Sequence, residues 1–202
     1  MKLTRDFYGR DTITVAKELL GNVLVHNVNG VLLKGRIVET EAYLGFEDKA
    51  AHSYGGRRTE RVEVMYGPPG YAYVYLIYGM YYLLNIITEK EGIPEGVLIR
   101  ALEPLENTNI MALNRFNKPY DKLTNYERKN ITNGPGKLTR AFNIGKELNG
   151  TDLCGNRLYV EEGEDKDFNI VETTRIGIDY AEEAKYFPYR FYIESNPYVS
   201  VK

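Results

Sequence analysis

The chain has 202 residues, 43% of them hydrophobic, with a single cysteine, two histidines and a formal charge of −2. One domain of this length buries a core without a staple. One cysteine excludes an internal disulfide, and two histidines give no cluster spaced for zinc or iron–sulfur, so the chemistry is expected to need no metal. The opening MKLTRDFYG lacks the apolar run of a signal peptide, and no stretch of about 18 apolar residues exists to span a bilayer. A cytoplasmic protein without a membrane partner is expected, one that works as a monomer. An acidic pI near 5.8 argues against a nucleic-acid partner, since phosphate favours a basic surface. That average hides a gradient: residues 1–145 hold 19 Lys and Arg against 16 Asp and Glu, while residues 146–202 hold 7 against 12. The acidic run EEGEDKD at 161–167 reads as a solvated loop.

Asp11 precedes residues 12–20, whose Ile13, Ala16, Leu19 and Leu20 share one helical face, and Gly21 closes the segment. Residues 22–28 and 31–39 are β-branched runs joined by Asn29-Gly30, the pair that best supplies a hairpin turn. The second run continues to Tyr43, so alternation puts Glu39, Glu41 and Tyr43 on one face and Thr40 and Ala42 on the other. Residues 44–70 lose periodicity and fill with Gly, Pro and charge, as functional or disordered loops do. His52 lies there. Alone it is more often a surface or hydrogen-bonding residue than a catalyst.

Residues 71–85, YAYVYLIYGMYYLLN, carry six of the eighteen tyrosines. A core built for packing alone would use Phe, Leu or Val, because a buried tyrosine needs a partner for its hydroxyl. Tyrosine suits a surface that is apolar on its face and wet at its edge, as the stacking of nucleic-acid bases requires. The plain alternative is an amphipathic edge strand. Gly79 divides the stretch into a hairpin with Tyr78 and Met80 at an exposed apolar tip, which is costly unless something covers it. Residues 97–102 form another strand with Arg100 as its one charge. Such an arginine needs a carboxylate, either Glu39 or Glu41.

Helices are expected at 108–115, with Ile110, Met111, Leu113 and Phe116 on one face, and at 136–142. Gly136-Lys137 is not a phosphate loop, since Ile131 stands where its first glycine belongs and Leu138 where Ser or Thr belongs. Lys137 reads as a single phosphate contact or a plain surface lysine. Strands at 157–161, 174–178 and 189–194 complete a single domain, residues 1–202, of α+β class: mainly antiparallel sheet with surrounding helices and a protruding β-hairpin.

Together these give a strand-borne carboxylate (Glu41), a buried arginine (Arg100), stacking groups (Tyr43, His52, Tyr75) and an apolar tip. Chemistry on a base inside a duplex needs that set, because the base must be flipped, the gap filled and the base held between π-faces. RIVETEAYLG followed by AAHS, then YVYLIYGMYYLLN, LIRALEP, NGPGKL and PYRFYIESNPYVSV resemble the alkyladenine (3-methyladenine) DNA glycosylase family, in order, over residues 6–201.

The resemblance implies a monofunctional glycosylase that hydrolyses the N-glycosidic bond of alkylated or deaminated purines in double-stranded DNA and needs no cofactor. It makes Glu41 the general base, with Arg100 and the main-chain carbonyl of Ile176 holding the attacking water. It places Tyr43 on one face of the flipped base and His52 and Tyr75 on the other. Tyr78, with Met80 beside it, fills the gap in the minor groove, and Asn85 crowds the exocyclic amine of guanine. Arg57, Thr59, Arg61 and Lys137 are the implied DNA contacts, although Glu60-Arg61-Val62-Glu63 is more acidic than the family's usual loop. In a bacterium the protein would sit with the nucleoid. Two other readings of the residues are a binder of damaged or single-stranded DNA without catalysis, and a nucleoside hydrolase. The exposed tip speaks against the second.

Overall fold

The computed structural model describes residues 1–201. After the short helix α1 (Arg5–Tyr8), α2 (Thr12–Leu19) starts where the Asp11 carboxylate accepts the Thr14 N–H at 2.8 Å, and it buries Val15, Ala16 and Leu19. Strands β1 (Val23–Val28) and β2 (Val31–Tyr43) turn through Asn29 and Gly30 at φ 51° and 90°, the positive pair that a tight hairpin demands.

Six further strands complete one antiparallel sheet: β3 (Ala72–Ile77), β4 (Tyr81–Ile87), β5 (Gly96–Glu106), β6 (Leu158–Glu161), β7 (Ile170–Thr173) and β8 (Arg190–Ile193). Its order is β3-β4-β5-β2-β1-β6, and β8 pairs with both β2 and β7. Strand β2 is the spine. It pairs with β5 along most of its length, with β1 over its first half, and with β8 through Glu39, Thr40 and Glu41. The α+β class expected from the sequence is the observed one.

The β2–β5 ladder slips twice beside Glu39, leaving Val38 unmatched on one strand and Arg100 on the other. Such bulges bend a strand and re-aim side chains. Here they bring Arg100 to the face that carries Glu39 and Glu41.

Helices α3 (Thr108–Phe116), α4 (Asn125–Lys129) and α5 (Pro135–Ala141) follow β5, and α2, α3 and α5 bury a core that includes Leu19, Ile37, Leu84, Ile99, Met111, Leu138 and Phe142. Helix α3 turns differently from expectation: Met111 and Ala112 are buried but Leu113 is exposed. The long loop 44–70 is packed. Two 3-10 turns, Tyr54–Gly56 and Glu60–Tyr66, shape it, and Val62, Met65 and Tyr66 join Tyr73 and Ile87 in a second apolar cluster. Among the described residues no helix is long and apolar enough to cross a membrane.

Candidate active site

A cavity of about 250 Å³ opens between β3–β4, the end of β2, the loop 44–70 and the stretch 176–180. Its walls include Tyr43, His52, Tyr75, Asn85, Arg100 and Ile176, six residues that the sequence reading named from five separate stretches. Tyr78 stands at the rim.

Glu41 lies directly behind this wall and is fully buried. Its Oε1 accepts the Ile176 backbone N–H at 2.7 Å and lies 3.2 Å from Arg100 Nη1. Its Oε2 accepts the Tyr43 hydroxyl at 2.8 Å. The resemblance pointed to the carbonyl of Ile176, whereas the contact seen here is its N–H. Residues 174–178, expected as a strand, form none: Gly177 takes a positive φ of 75°, and side-chain bonds hold the stretch in place of a ladder. Arg175 is bidentate on buried Asp48 (2.8 Å for Nη2–Oδ1) and donates to the Ala42 and Ala184 carbonyls, while Ile176 turns its N–H to Glu41 instead of a ladder.

Arg100 settles the open choice between Glu39 and Glu41 by taking both: its Nε donates to Glu39 Oε1 at 3.0 Å while Nη1 faces Glu41. Burial pulls the Arg100 guanidinium down, and the two carboxylates outweigh that and raise it. Burial likewise holds the Tyr43 hydroxyl far above its ordinary range, so at neutral pH it is a phenol that donates to Glu41.

The aromatic wall is layered. Tyr73 and Tyr75 stack with centroids 5.0 Å apart, and His52 meets the Tyr75 ring edge-on at 4.6 Å, its Nδ1 3.1 Å from the Tyr73 hydroxyl. Burial, then Arg61 and Arg57, pushes His52 down to about 4, so the imidazole is neutral at physiological pH. Behind Tyr43 the Arg175 guanidinium lies 4.7 Å from the ring centroid. Sequence reasoning missed Arg175 and Asp48. The rule that flagged Arg100, a charge among apolar strand-like neighbours, applies equally to Arg175. Asn85 is buried with its Nδ2 unpartnered in the cavity wall.

The hairpin projects beyond the cavity. Tyr78 and Met80 are 84% and 66% exposed at its tip. Tyr78 and Gly79 both have positive φ, 52° and 68°, and the Met80 N–H closes the turn on the Ile77 carbonyl at 3.2 Å. Glycine takes that conformation freely; a tyrosine there is strained. The tip end of the hairpin is fixed to α5, where the Thr139 hydroxyl donates to the Tyr82 carbonyl at 2.6 Å and Gly136 lies against the Tyr81 ring.

Among the described residues, four cations on this side have no carboxylate within 4.0 Å: Arg57 and Arg61 near His52, and Arg115 and Lys137 beside the hairpin. Glu63 does not cancel them, because it pairs with Arg58 at 2.9 Å. Arg61 also braces the hairpin through the Leu76 carbonyl at 3.1 Å. Lys137 is held by the side-chain oxygens of Asn130 and Asn133 at 2.7 and 2.9 Å, and burial, then Arg115, lowers its pKa. Thr59 is exposed ahead of the second 3-10 turn and makes no capping bond with its side chain. Arg115 is a cation of this face that sequence reasoning did not single out.

The chain also has relatives among known proteins. A protein of Clostridium acetobutylicum is 60% identical over 201 residues, covering all of this chain and 98% of the relative, and one of Clostridium botulinum is 61% identical over the full length of both. Both carry the name "Putative 3-methyladenine DNA glycosylase". The profile of the Methylpurine-DNA glycosylase (MPG) family matches residues 6–197, so that the aromatic cavity, the carboxylate behind it and the projecting hairpin all fall within the match: the chain belongs to the methylpurine-DNA glycosylase family.

Proposed function

We propose that this DNA glycosylase releases alkylated purines, 3-methyladenine among them, from duplex DNA with a water activated by Glu41. The observation that carries the reading is a fully buried carboxylate set behind an aromatic cavity with donors already on it. Each carboxylate oxygen has two lone pairs. Ile176 takes one of Oε1, beside the Arg100 ion pair, and Tyr43 one of Oε2, which leaves the second pair of Oε2 to take the proton of the water. Arg100 and the Ile176 carbonyl orient that water.

A purine methylated at N3 or N7 is cationic and leaves without an enzyme acid, while the Glu41 anion stabilises the oxocarbenium sugar that develops. Tyr43 stacks on one face of the flipped base and His52 and Tyr75 on the other. A neutral His52 does not repel a cationic base. Asn85 crowds the amine of guanine and keeps normal guanine out. Tyr78 enters the gap left by the flipped nucleotide with Met80 beside it, and Arg57, Thr59, Arg61 and Lys137 hold the phosphates. The enzyme acts as a monomer, in a bacterial cytoplasm alongside the nucleoid.

The test is incubation with methylated duplex followed by alkali, scored for strand breaks at abasic sites. Breaks are expected with the unaltered protein, and none would overturn the substrate reading. Glu41→Gln should keep lesion binding and lower single-turnover excision by at least about 10²-fold. Excision at the unaltered rate would remove Glu41 from the mechanism.

A further inference from the structure

The carboxylate that shares Arg100 with Glu41 has a second set of partners from a distant part of the chain. Glu39 is fully buried. Its Oε1 accepts Arg100 Nε at 3.0 Å, Arg190 Nη1 at 2.8 Å and the Ser200 hydroxyl at 2.9 Å, and its Oε2 accepts the Ser200 backbone N–H at 2.7 Å. Two of the four bonds on this carboxylate thus come from one serine. Residues 196–200 belong to no strand or helix, yet they are anchored: Val199 is buried, and the Asn196 amide donates to Glu103 Oε2 at 3.0 Å. Arg190 completes the connection, donating to the Val201 carbonyl at 2.9 Å and to the Thr174 carbonyl at 3.1 Å, two residues before Ile176.

We propose that Ser200 is a positioning residue of the active site, acting through Glu39 to set how Arg100 is divided between Glu39 and Glu41. This rests on the reading of Glu41 as the base. The physical reason is competition. A buried carboxylate must have its lone pairs satisfied, and it draws on whatever donors are within reach. With Ser200 in place, Glu39 has two neutral donors besides its two guanidinium groups, and Arg100 can offer Nη1 to Glu41. Without them, Glu39 draws the Arg100 guanidinium to itself, and Glu41 Oε1 loses its ion-pair partner. Substrate would bind as before, since Ser200 lies outside the cavity wall. The chemical step would slow.

The decisive comparison uses the full chain and a duplex with one 3-methyladenine, measuring lesion affinity and the single-turnover rate at saturating enzyme. That rate does not depend on the fraction of protein folded, so general destabilisation leaves it unmoved. Ser200→Ala removes the hydroxyl bond and is expected to slow excision about tenfold, the scale of one charge-assisted hydrogen bond. Ser200→Pro removes the hydroxyl and the N–H, and should slow it further. Ser200→Thr keeps both and should restore the unaltered rate, with affinity unchanged throughout. Unchanged rates in Ser200→Ala and Ser200→Pro, or loss of affinity in step with rate, would overturn the proposal. If Ser200→Pro does not fold, the alanine and threonine pair still decides. Failure of the unaltered protein to release the base would instead defeat the reading of the reaction, before any variant is compared.

Discussion

At the back of the cavity two carboxylates, Glu39 and Glu41, and two guanidinium groups, Arg100 and Arg190, lie buried in equal number, and none of their buried atoms lacks a partner. At its mouth an 84% exposed tyrosine is held in a left-handed turn, with an exposed methionine two residues on. The rear is assembled before substrate arrives, which lets fixed dipoles act on a developing charge without reorganising. The front carries strain and bare apolar surface, and strain of that kind collects where a protein meets its ligand. Changes at the two ends should therefore have opposite effects on folding and similar effects on activity.

The largest effect is expected at the rear. Glu39→Gln leaves two buried guanidinium groups with one carboxylate, and breaking a buried pair costs about 3–5 kcal/mol, or roughly 10 °C in a chain of this size. Thermal unfolding followed by circular dichroism checks it, and a midpoint unchanged from the unaltered protein would show the network to be dispensable for the fold.

Tyr78→Gly should do the reverse, relieving the positive φ and raising stability by up to about 1 kcal/mol while slowing excision. Well-paired lesions should suffer most, because a mispaired one is partly unstacked already and flips more easily. Equal slowing of paired and mispaired lesions would separate Tyr78 from flipping.

A still smaller change sharpens the electrostatics of the mouth. Arg57→Ala should leave the unfolding midpoint alone and reduce the salt dependence of DNA affinity by about 0.9 in log–log slope, alike on damaged and undamaged duplex. A slope that did not move would take Arg57 off the phosphate backbone.

A pH dependence concerns His52, whose pKa of about 4 in the fold lies below the ordinary value near 6.5. Between those values the unfolded chain binds a proton that the folded one refuses, so stability should fall as pH drops through that window. His26, lowered chiefly by burial, adds to the slope in the same direction. His52→Gln should flatten the dependence without abolishing it, as unfolding midpoints from pH 7 to 4.5 would show; an unchanged slope would place the titration elsewhere.

Local chemistry made much of this legible. Asn29-Gly30 announces the β1–β2 hairpin, Gly79 the second, and strand alternation puts Glu39 and Glu41 on one face. The rest depends on partners far apart in sequence. Nothing near residue 39 reveals that Arg190 and Ser200 will meet it, 151 and 161 positions away. Residues 174–178 read as a strand in spite of Gly177, which takes φ 75°, and Arg175 and Ile176 turn to two buried carboxylates, Asp48 and Glu41, which no periodicity shows. Leu113 looked inward on a helical wheel, but the rotation of α3 is set by what it packs on.

The partners of Glu39 have a consequence in time. Ribosomes deliver a chain from its first residue onward, and β2 and β5 emerge long before β8 and residue 200. A nascent protein whose β2–β5 pair and hairpin have folded still lacks Arg190 and Ser200, the groups that complete the setting of Arg100 through Glu39. The contacts that bind Glu39 to Arg190 and Ser200 therefore form only after the spine of the sheet is in place.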